Sequence, residues 1–191
     1  MGFISVLAYA QQLIKERVHP GDIVIDATIG NGNDTLSLLE QVRERGTVYG
    51  FDIQEAALAH TTARINAAGR SMDNVHLVLD NHANMARHIP MHEHGRVAAV
   101  MFNLGYLPGA EEVIITQTPT TLLALEAALE LLRPRGIITT VLYPGHEGGD
   151  VEAAAVLDWA RGLSSNRAQS LCYRFVNTSP RSPYLIAIEK R

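Results

Sequence analysis

The sequence predicts an α/β fold: a mostly parallel, seven-stranded sheet with helices on both faces and an antiparallel C-terminal hairpin. Three observations predict it. Short apolar runs alternate with segments of helical periodicity along most of the chain. Glycines, acids and amides gather directly after those apolar runs. The last two apolar runs are joined by only seven residues, Asn177 to Pro183, without a helical pattern, so they pair as a hairpin.

Each element has its own signature. Residues 3–17 carry Phe3, Leu7, Ala10, Leu13, Ile14 and Arg17 at spacings of three and four, the stripe of an amphipathic helix. His19-Pro20-Gly21 stops it. Asp22 to Asp26 reads as a buried strand. Asn33 to Arg45 reads as a helix with Leu36, Leu39 and Val42 inward and Gly46 as its C-cap. Thr47 to Asp52 is the second strand, and the helix from Gln54 to Ala68 ends at Gly69. Val75 to Leu79, Val97 to Phe102 and Ile137 to Leu142 are the next three strands. Between the last two lies a helix from Pro119 to Leu132, with Thr118 as N-cap and proline at the first helical position. A helix from Gly149 to Gly162 precedes the strands Ser170 to Val176 and Tyr184 to Glu189. Trp159, at helical spacing from Val156 and Leu163, reads as core, and so does Cys172 between Leu171 and Tyr173.

Composition narrows the class. The chain has 191 residues, 47% hydrophobic and 19% charged, which suits one domain over 1–191 and excludes a disordered or fibrous protein. No linker, repeat or low-complexity tract divides it. The longest apolar runs are too short to cross a bilayer. The opening MGFISVLAYAQQL lacks a basic n-region and a small-residue cleavage site. No membrane association and a cytoplasmic location are the expectations. A single cysteine excludes an internal disulfide and a Cys-based zinc site. His88, His92 and His94 lie close together beside Glu93 without diagnostic spacing, so no metal site is expected. The net charge of −4 does not advertise a nucleic-acid binder. Yet residues 160–191 hold six basic residues against one acid. All but two of the sixteen basic residues are arginine, the better bidentate partner for phosphate.

Parallel sheets bind ligands at the carboxyl ends of their strands, so the chemistry is sought there. After the first strand comes Asp26-Ala27-Thr28-Ile29-Gly30-Asn31-Gly32-Asn33-Asp34-Thr35, a glycine turn feeding a helix with free N–H groups. After the second comes Asp52, twenty residues beyond Gly32, placed to accept ribose hydroxyls. After the third comes Asp80-Asn81-His82, placed to contact an adenine. These features fit NAD and S-adenosylmethionine (SAM). The dinucleotide fingerprint wants a third glycine where Thr35 stands, which weakens the NAD reading, and a C-terminal hairpin suits methyltransferase topology better. After the fourth strand, Asn103-Leu104-Gly105-Tyr106-Leu107-Pro108-Gly109 resembles in loosened form the Asn-Pro-Pro-Tyr motif of amino-methylating enzymes. There the Asn accepts hydrogen bonds from the reacting nitrogen and the aromatic ring stacks on the base. After the fifth, Tyr143-Pro144-Gly145-His146-Glu147-Gly148-Gly149 suits substrate contact or a mobile lid.

Taken together, DATIGNGNDT, GFDIQ, DNHANM, NLGYLPG and YPGHEGG resemble a small family of class I methyltransferases labelled rRNA methylases, over essentially the whole chain. The resemblance implies a Rossmann-like class I methyltransferase fold and SAM as cofactor. The activity characterised in that family is on tRNA, where it methylates the 5-aminomethyl group of a modified wobble uridine, with or without 2-thiolation. The resemblance implies a site for the methionine part of SAM at Asp26, Thr28, Gly30, Asn31, Gly32 and Asn33. Asp52 and Gln54 take the ribose and adenosine side; Asn81 and His82 flank the adenine; Asn103 and Tyr106 face the acceptor amine. Attack needs the neutral amine, and Asp34, Tyr106, Tyr143 and His146 are the candidates to accept or relay its proton, with no choice among them from sequence. A tRNA anticodon loop is the implied partner, read by stacking and by arginines on its backbone. A homodimer whose second copy supplies part of the basic surface goes with it. The competing readings are an rRNA or small-amine methyltransferase, and a nucleotide-binding module without catalysis.

Overall fold

The computed structural model describes residues 2–105 and 115–191. In chain order the elements are α1 (Val6–Lys15), β1 (Ile23–Asp26), α2 (Asn33–Val42), β2 (Thr47–Asp52), α3 (Glu55–Ala67) and β3 (Val75–Leu79). They continue with α4 (Met85–His88), β4 (Val97–Asn103), α5 (Thr118–Leu131), β5 (Leu132–Leu142), α6 (Gly149–Gly162), β6 (Ala168–Tyr173) and β7 (Tyr184–Lys190). The seven strands form one sheet in the order β3-β2-β1-β4-β5-β7-β6. The first five in chain order pair in parallel, and β7 runs antiparallel to both β5 and β6.

Strand periodicity sorts the core into two layers. Ile25, Val100, Phe102, Ile138, Ile186 and Ile188 point to the face covered by α4, α5 and α6. Val24, Ala99, Met101, Ile137, Leu185 and Ala187 point to the face covered by α1 and α2. Each fully buried aliphatic side chain contributes about 1.5–3 kcal/mol. The chain builds outward from β1 to β3 and then returns to β4 on the other side of β1. The carboxyl ends of β1 and β4 therefore open a crevice, the switch point of a doubly wound sheet.

Several local expectations are corrected. The first helix starts only at Val6, where the Ser5 hydroxyl caps it by accepting from the Ala8 N–H at 3.2 Å. Its buried face is Val6, Ala10, Leu13 and Ile14, while Phe3 and Leu7 are exposed. Phe3 precedes the helix, and Leu7 sits one residue, about 100°, off the buried stripe. Gly46 is not a C-cap. Arg43, at φ 57°, ends α2. Gly46 is glycine because a Cβ there would meet the Val42 side chain and, at 2.5 Å, the Asp22 carbonyl oxygen. Gln117, not Thr118, is the N-cap residue of α5, and β5 begins directly at the helix end, Leu132, rather than at Ile137. The strand read to Val176 ends at Tyr173, and Val176 is 96% exposed. Cys172 is exposed rather than core, because β6 is the outermost strand of the sheet. Trp159 packs half-buried against the core and donates its indole N–H to Glu126 at 2.6 Å, a polar tie that keeps one edge in solvent. No helix among the described residues is long and apolar enough to cross a membrane.

Replacing Gly46 by alanine should overpack the β2 entry and lower stability by about 1–3 kcal/mol. The check is the denaturant midpoint at unchanged slope. A wild-type midpoint would mean that the Val42 turn yields freely.

Candidate active site

The crevice is a cavity of about 490 Å³ at the carboxyl ends of β1, β2, β3, β4 and β5. That volume suits a nucleoside-sized ligand with a reacting partner. Its floor is set by Asp26, which is 1% exposed. The Asp26 carboxylate accepts from the Thr28 N–H at 3.2 Å and from the Thr35 hydroxyl at 2.6 Å, tying strand, loop and helix α2 together. Burial, with Asp34 nearby, pushes its pKa up to about 7. Asp26 is therefore beneath the site and not on its lining. Gly32 is also off the lining. It stands at φ 75°, and a Cβ there would meet the Thr61 hydroxyl at 2.5 Å and the Thr61 backbone at 2.8 Å, so it lets α2 start against α3.

Thr28, Gly30, Asn31, Asn33 and Asp34 do line the cavity. So do Asp52 and Gln54. The two oxygens of Asp52 accept from the Gly30 N–H and the Gln54 N–H, both at 3.0 Å. Each oxygen keeps a lone-pair site, so a fixed carboxylate faces the cavity able to accept two hydroxyl donors. Half-exposed Ile53 lines the cavity beside it, an apolar surface that sequence reading missed because it looked only for polar groups.

Asp80, Asn81 and His82, after β3, line the cavity as well. Asp80 is turned to structural work: Asn84 donates to it at 2.9 Å and His88 at 2.7 Å, and these partners hold its carboxyl below the usual range. Asn81 caps the following turn by accepting from the Ala83 N–H at 2.9 Å. His82 is the informative member. Its Nδ1 lies 3.1 Å from the Ala27 carbonyl oxygen, which can only accept, so Nδ1 carries the proton. Burial lowers its pKa and keeps the ring neutral. Nε2 is then a buried acceptor with no partner among the described residues, on a residue that lines the cavity.

Asn103 closes the site. It ends β4, and its N–H donates to the Thr28 hydroxyl at 2.7 Å, locking the strand end to the glycine turn. Its carboxamide favours the charged forms of Asp34 on α2 and of Tyr143 after β5. Burial raises the pKa of both Asp34 and Tyr143. Gln11 of α1 donates to Asp34 Oδ1 at 3.2 Å, a contact with no signature in the sequence because it joins residues far apart in the chain. His146 lines the same wall. Tyr106 lies outside the described residues. Thr116 was also missed. Its hydroxyl donates to buried Glu152 at 2.7 Å and accepts from the Gly105 N–H at 3.2 Å.

The basic residues of the last stretch separate in space. Arg167 pairs with Glu126 and Glu130, and Arg161 with Asp158. Arg181 reaches the cavity mouth. His88 and His94 bond to Asp80 and to the Ile89 carbonyl, and no set of three metal-capable side chains converges among the described residues.

A sheet of this order, with its crevice at the first switch point, is the class I methyltransferase fold. The chain belongs to the family described as "Putative rRNA methylase", whose model matches residues 48–189. A protein of the same description from Clostridium thermocellum, solved as a crystal structure, is 41% identical with a TM-score of 0.94, covering 100% of both chains. A Streptococcus mutans protein solved in complex with SAH is 34% identical with a TM-score of 0.89, again over 100% of both chains. The chain is also 41% identical over 182 residues to the chloroplastic tRNA (mnm(5)s(2)U34)-methyltransferase of Arabidopsis thaliana. That match takes in 91% of this chain and 65% of the relative's length.

The raised pKa of Asp26 makes a stability prediction. The folded value, about 7, lies above the unfolded value of 3.8. Its contribution is therefore fully present below the unfolded value and is lost as pH rises through the folded one. Asp26→Asn keeps an acceptor for Thr28 and a partner for Thr35. Denaturant midpoints measured across this window should fall with rising pH in the wild type and stay flatter in the variant. Parallel curves would remove Asp26 as the origin of the slope.

Proposed function

We propose that this chain is a SAM-dependent N-methyltransferase acting on the 5-aminomethyl group of a wobble uridine in tRNA, with or without 2-thiolation. The observation that carries the reading is the position of Asn103. Its backbone is bonded to the glycine turn while its side chain faces Asp34 and Tyr143. An amide that can accept from an amine thus stands beside the loop that would hold the methionine part of SAM. The relative from Arabidopsis, a tRNA methyltransferase by name, supports the same substrate.

The residues present fit SAM. Fixed Asp52 would take the ribose diol, the orphaned His82 Nε2 would accept from an adenine amino group, and Ile53 would pack on the ring. SAM supplies an already activated methyl group, so the protein's task is to orient the acceptor in line with it and exclude water. Asn103 would accept from the amine and align it. Arg181 at the mouth would contact the RNA backbone of an anticodon loop presented with its target base turned out. We place the enzyme in the cytoplasm as a single catalytic domain, working as a homodimer whose second copy extends the basic surface.

The test is methyl transfer from labelled SAM to bulk tRNA of a strain lacking the gene, with mass spectrometry of the nucleosides. One added methyl on an aminomethyluridine is the expected result. No transfer with SAM binding intact would move the assignment to rRNA or a small amine. Asp52→Ala should abolish SAM binding in calorimetry. Asn103→Ala should keep SAM binding and slow transfer on the order of a hundredfold. An Asn103→Ala rate equal to wild type would overturn the acceptor assignment.

A further inference from the structure

A primary aminomethyl group resembles lysine, with a pKa of roughly 10 in water, and arrives as an ammonium. It must lose a proton before it can attack. Four side chains are open for that role from sequence; Tyr106 lies outside the described residues, and the other three line the cavity. Tyr143 is a phenol whose burial makes it harder to ionise, so it does not act as the base at neutral pH. The ring of His146 engages the neighbouring Glu147 carbonyl through Nδ1 at 3.0 Å and lines the same cavity, so its variant is the control in the experiment below. Asp34 is on the cavity wall, is bonded to Gln11, and shares Asn103 with the place proposed for the amine.

Resting on the function proposed above, we propose that the Asp34 carboxylate takes the proton from the acceptor ammonium, and that Gln11 on α1 is its positioning residue. The step balances. One N–H proton passes from the ammonium to an Asp34 oxygen, giving a neutral amine and a neutral acid. The amine lone pair then forms the nitrogen–carbon bond as the methyl–sulfur bond breaks, its electron pair staying on sulfur. The product is a methylammonium, and Asp34 returns its proton to solvent.

The surroundings favour this division of labour. Among the described residues, the titratable groups around Asp34 include Asp26 at the end of β1 and Tyr143 after β5, with His146 lining the same cavity. Of the two carboxylates, Asp26 is buried off the cavity lining, and its donors among the described residues are the Thr28 N–H and the Thr35 hydroxyl. Asp34 is bonded by Gln11 and opens on the cavity, and burial raises its pKa, which makes it a stronger base. If the two Asn103 N–H groups serve Asp34 and Tyr143, its oxygen remains to accept from the amine. α1 precedes the first strand of the sheet, and Gln11 gives it a part in the chemistry.

The experiment uses the full chain, SAM, and tRNA carrying the aminomethyluridine, with kcat/KM followed against pH. The wild type should show an acid limb set by Asp34. Gln11→Leu removes a bond to the charged form and should move that limb to higher pH with SAM affinity unchanged, while Gln11→Glu should not rescue it. Asp34→Asn should lose about a hundredfold or more and have no acid limb, its residual rate climbing with pH as the free amine is released by solvent. His146→Gln should keep the limb. NMR titration of labelled aspartate carboxyl carbons gives a readout apart from turnover: the Asp34 signal should titrate higher in Gln11→Leu. An unmoved limb or signal overturns the role of Gln11. An Asp34→Asn protein that fails to bind SAM, or that keeps a wild-type profile, overturns the role of Asp34. A wild type inactive on this tRNA fails the proposed function itself, whatever the titration reads.

Discussion

The buried carboxylate of Asp26 is where strand, turn and helix are joined. Thr28 and Thr35 reach it from the two ends of the glycine turn, and the turn cannot shift without breaking one of these bonds. Thr28 in turn receives the Asn103 N–H, so the end of β4 is indexed to the same point. Gly30, at the middle of the turn, holds Asp52 at the end of β2. Three strand ends are thus fixed by short contacts that all pass through one loop. A hydrophobic core alone would set those ends only to within the tolerance of side-chain packing, while a chain of hydrogen bonds at 2.6–3.2 Å sets them much more tightly. The cost is a buried acid that resists ionisation.

The sheet was legible in the sequence because its central strands are buried on both faces. Runs such as Val97 to Phe102 have no polar residue to blur them, and the intervening helices end at plain stop signals such as Gly69. What the pattern did not show was decided by neighbours distant in the chain. Cys172 reads as core from its flanking residues, but the exposure of β6 follows from its place at the sheet edge, which the order of strands decides. Gly46 reads as a helix cap because it follows a helix, but the reason for glycine there is the approach of Asp22 from before the preceding helix.

The site divides in the same way. Its polar members at the strand ends, such as Asp52, Asn103 and Tyr143, were visible because the fold dictates where ligands sit. Local reading did not separate lining from support. Asp26, Asp80 and Gly32 look like ligand contacts in the sequence, yet two of them are off the lining and the third is engaged by His88 and Asn84. Gln11, Ile53 and Thr116 carried no signal, one being a distant contact, one apolar and one a single threonine beyond the acceptor motif.

The position of β7 bears on how the chain reaches this state. It lies between β5 and β6, which precede it in the chain, and it pairs antiparallel with both. As synthesis proceeds, β5 and β6 emerge first, each with an open ladder of N–H and C=O groups facing the slot between them. β5 there is strongly apolar, running Ile137-Ile138-Thr139-Thr140-Val141-Leu142. Until β7 arrives, the growing chain presents an unpaired edge of the kind that recruits other chains. The final strand acts as a closing stitch, and anything that delays its insertion lengthens the time during which the half-made sheet depends on protection from its neighbours.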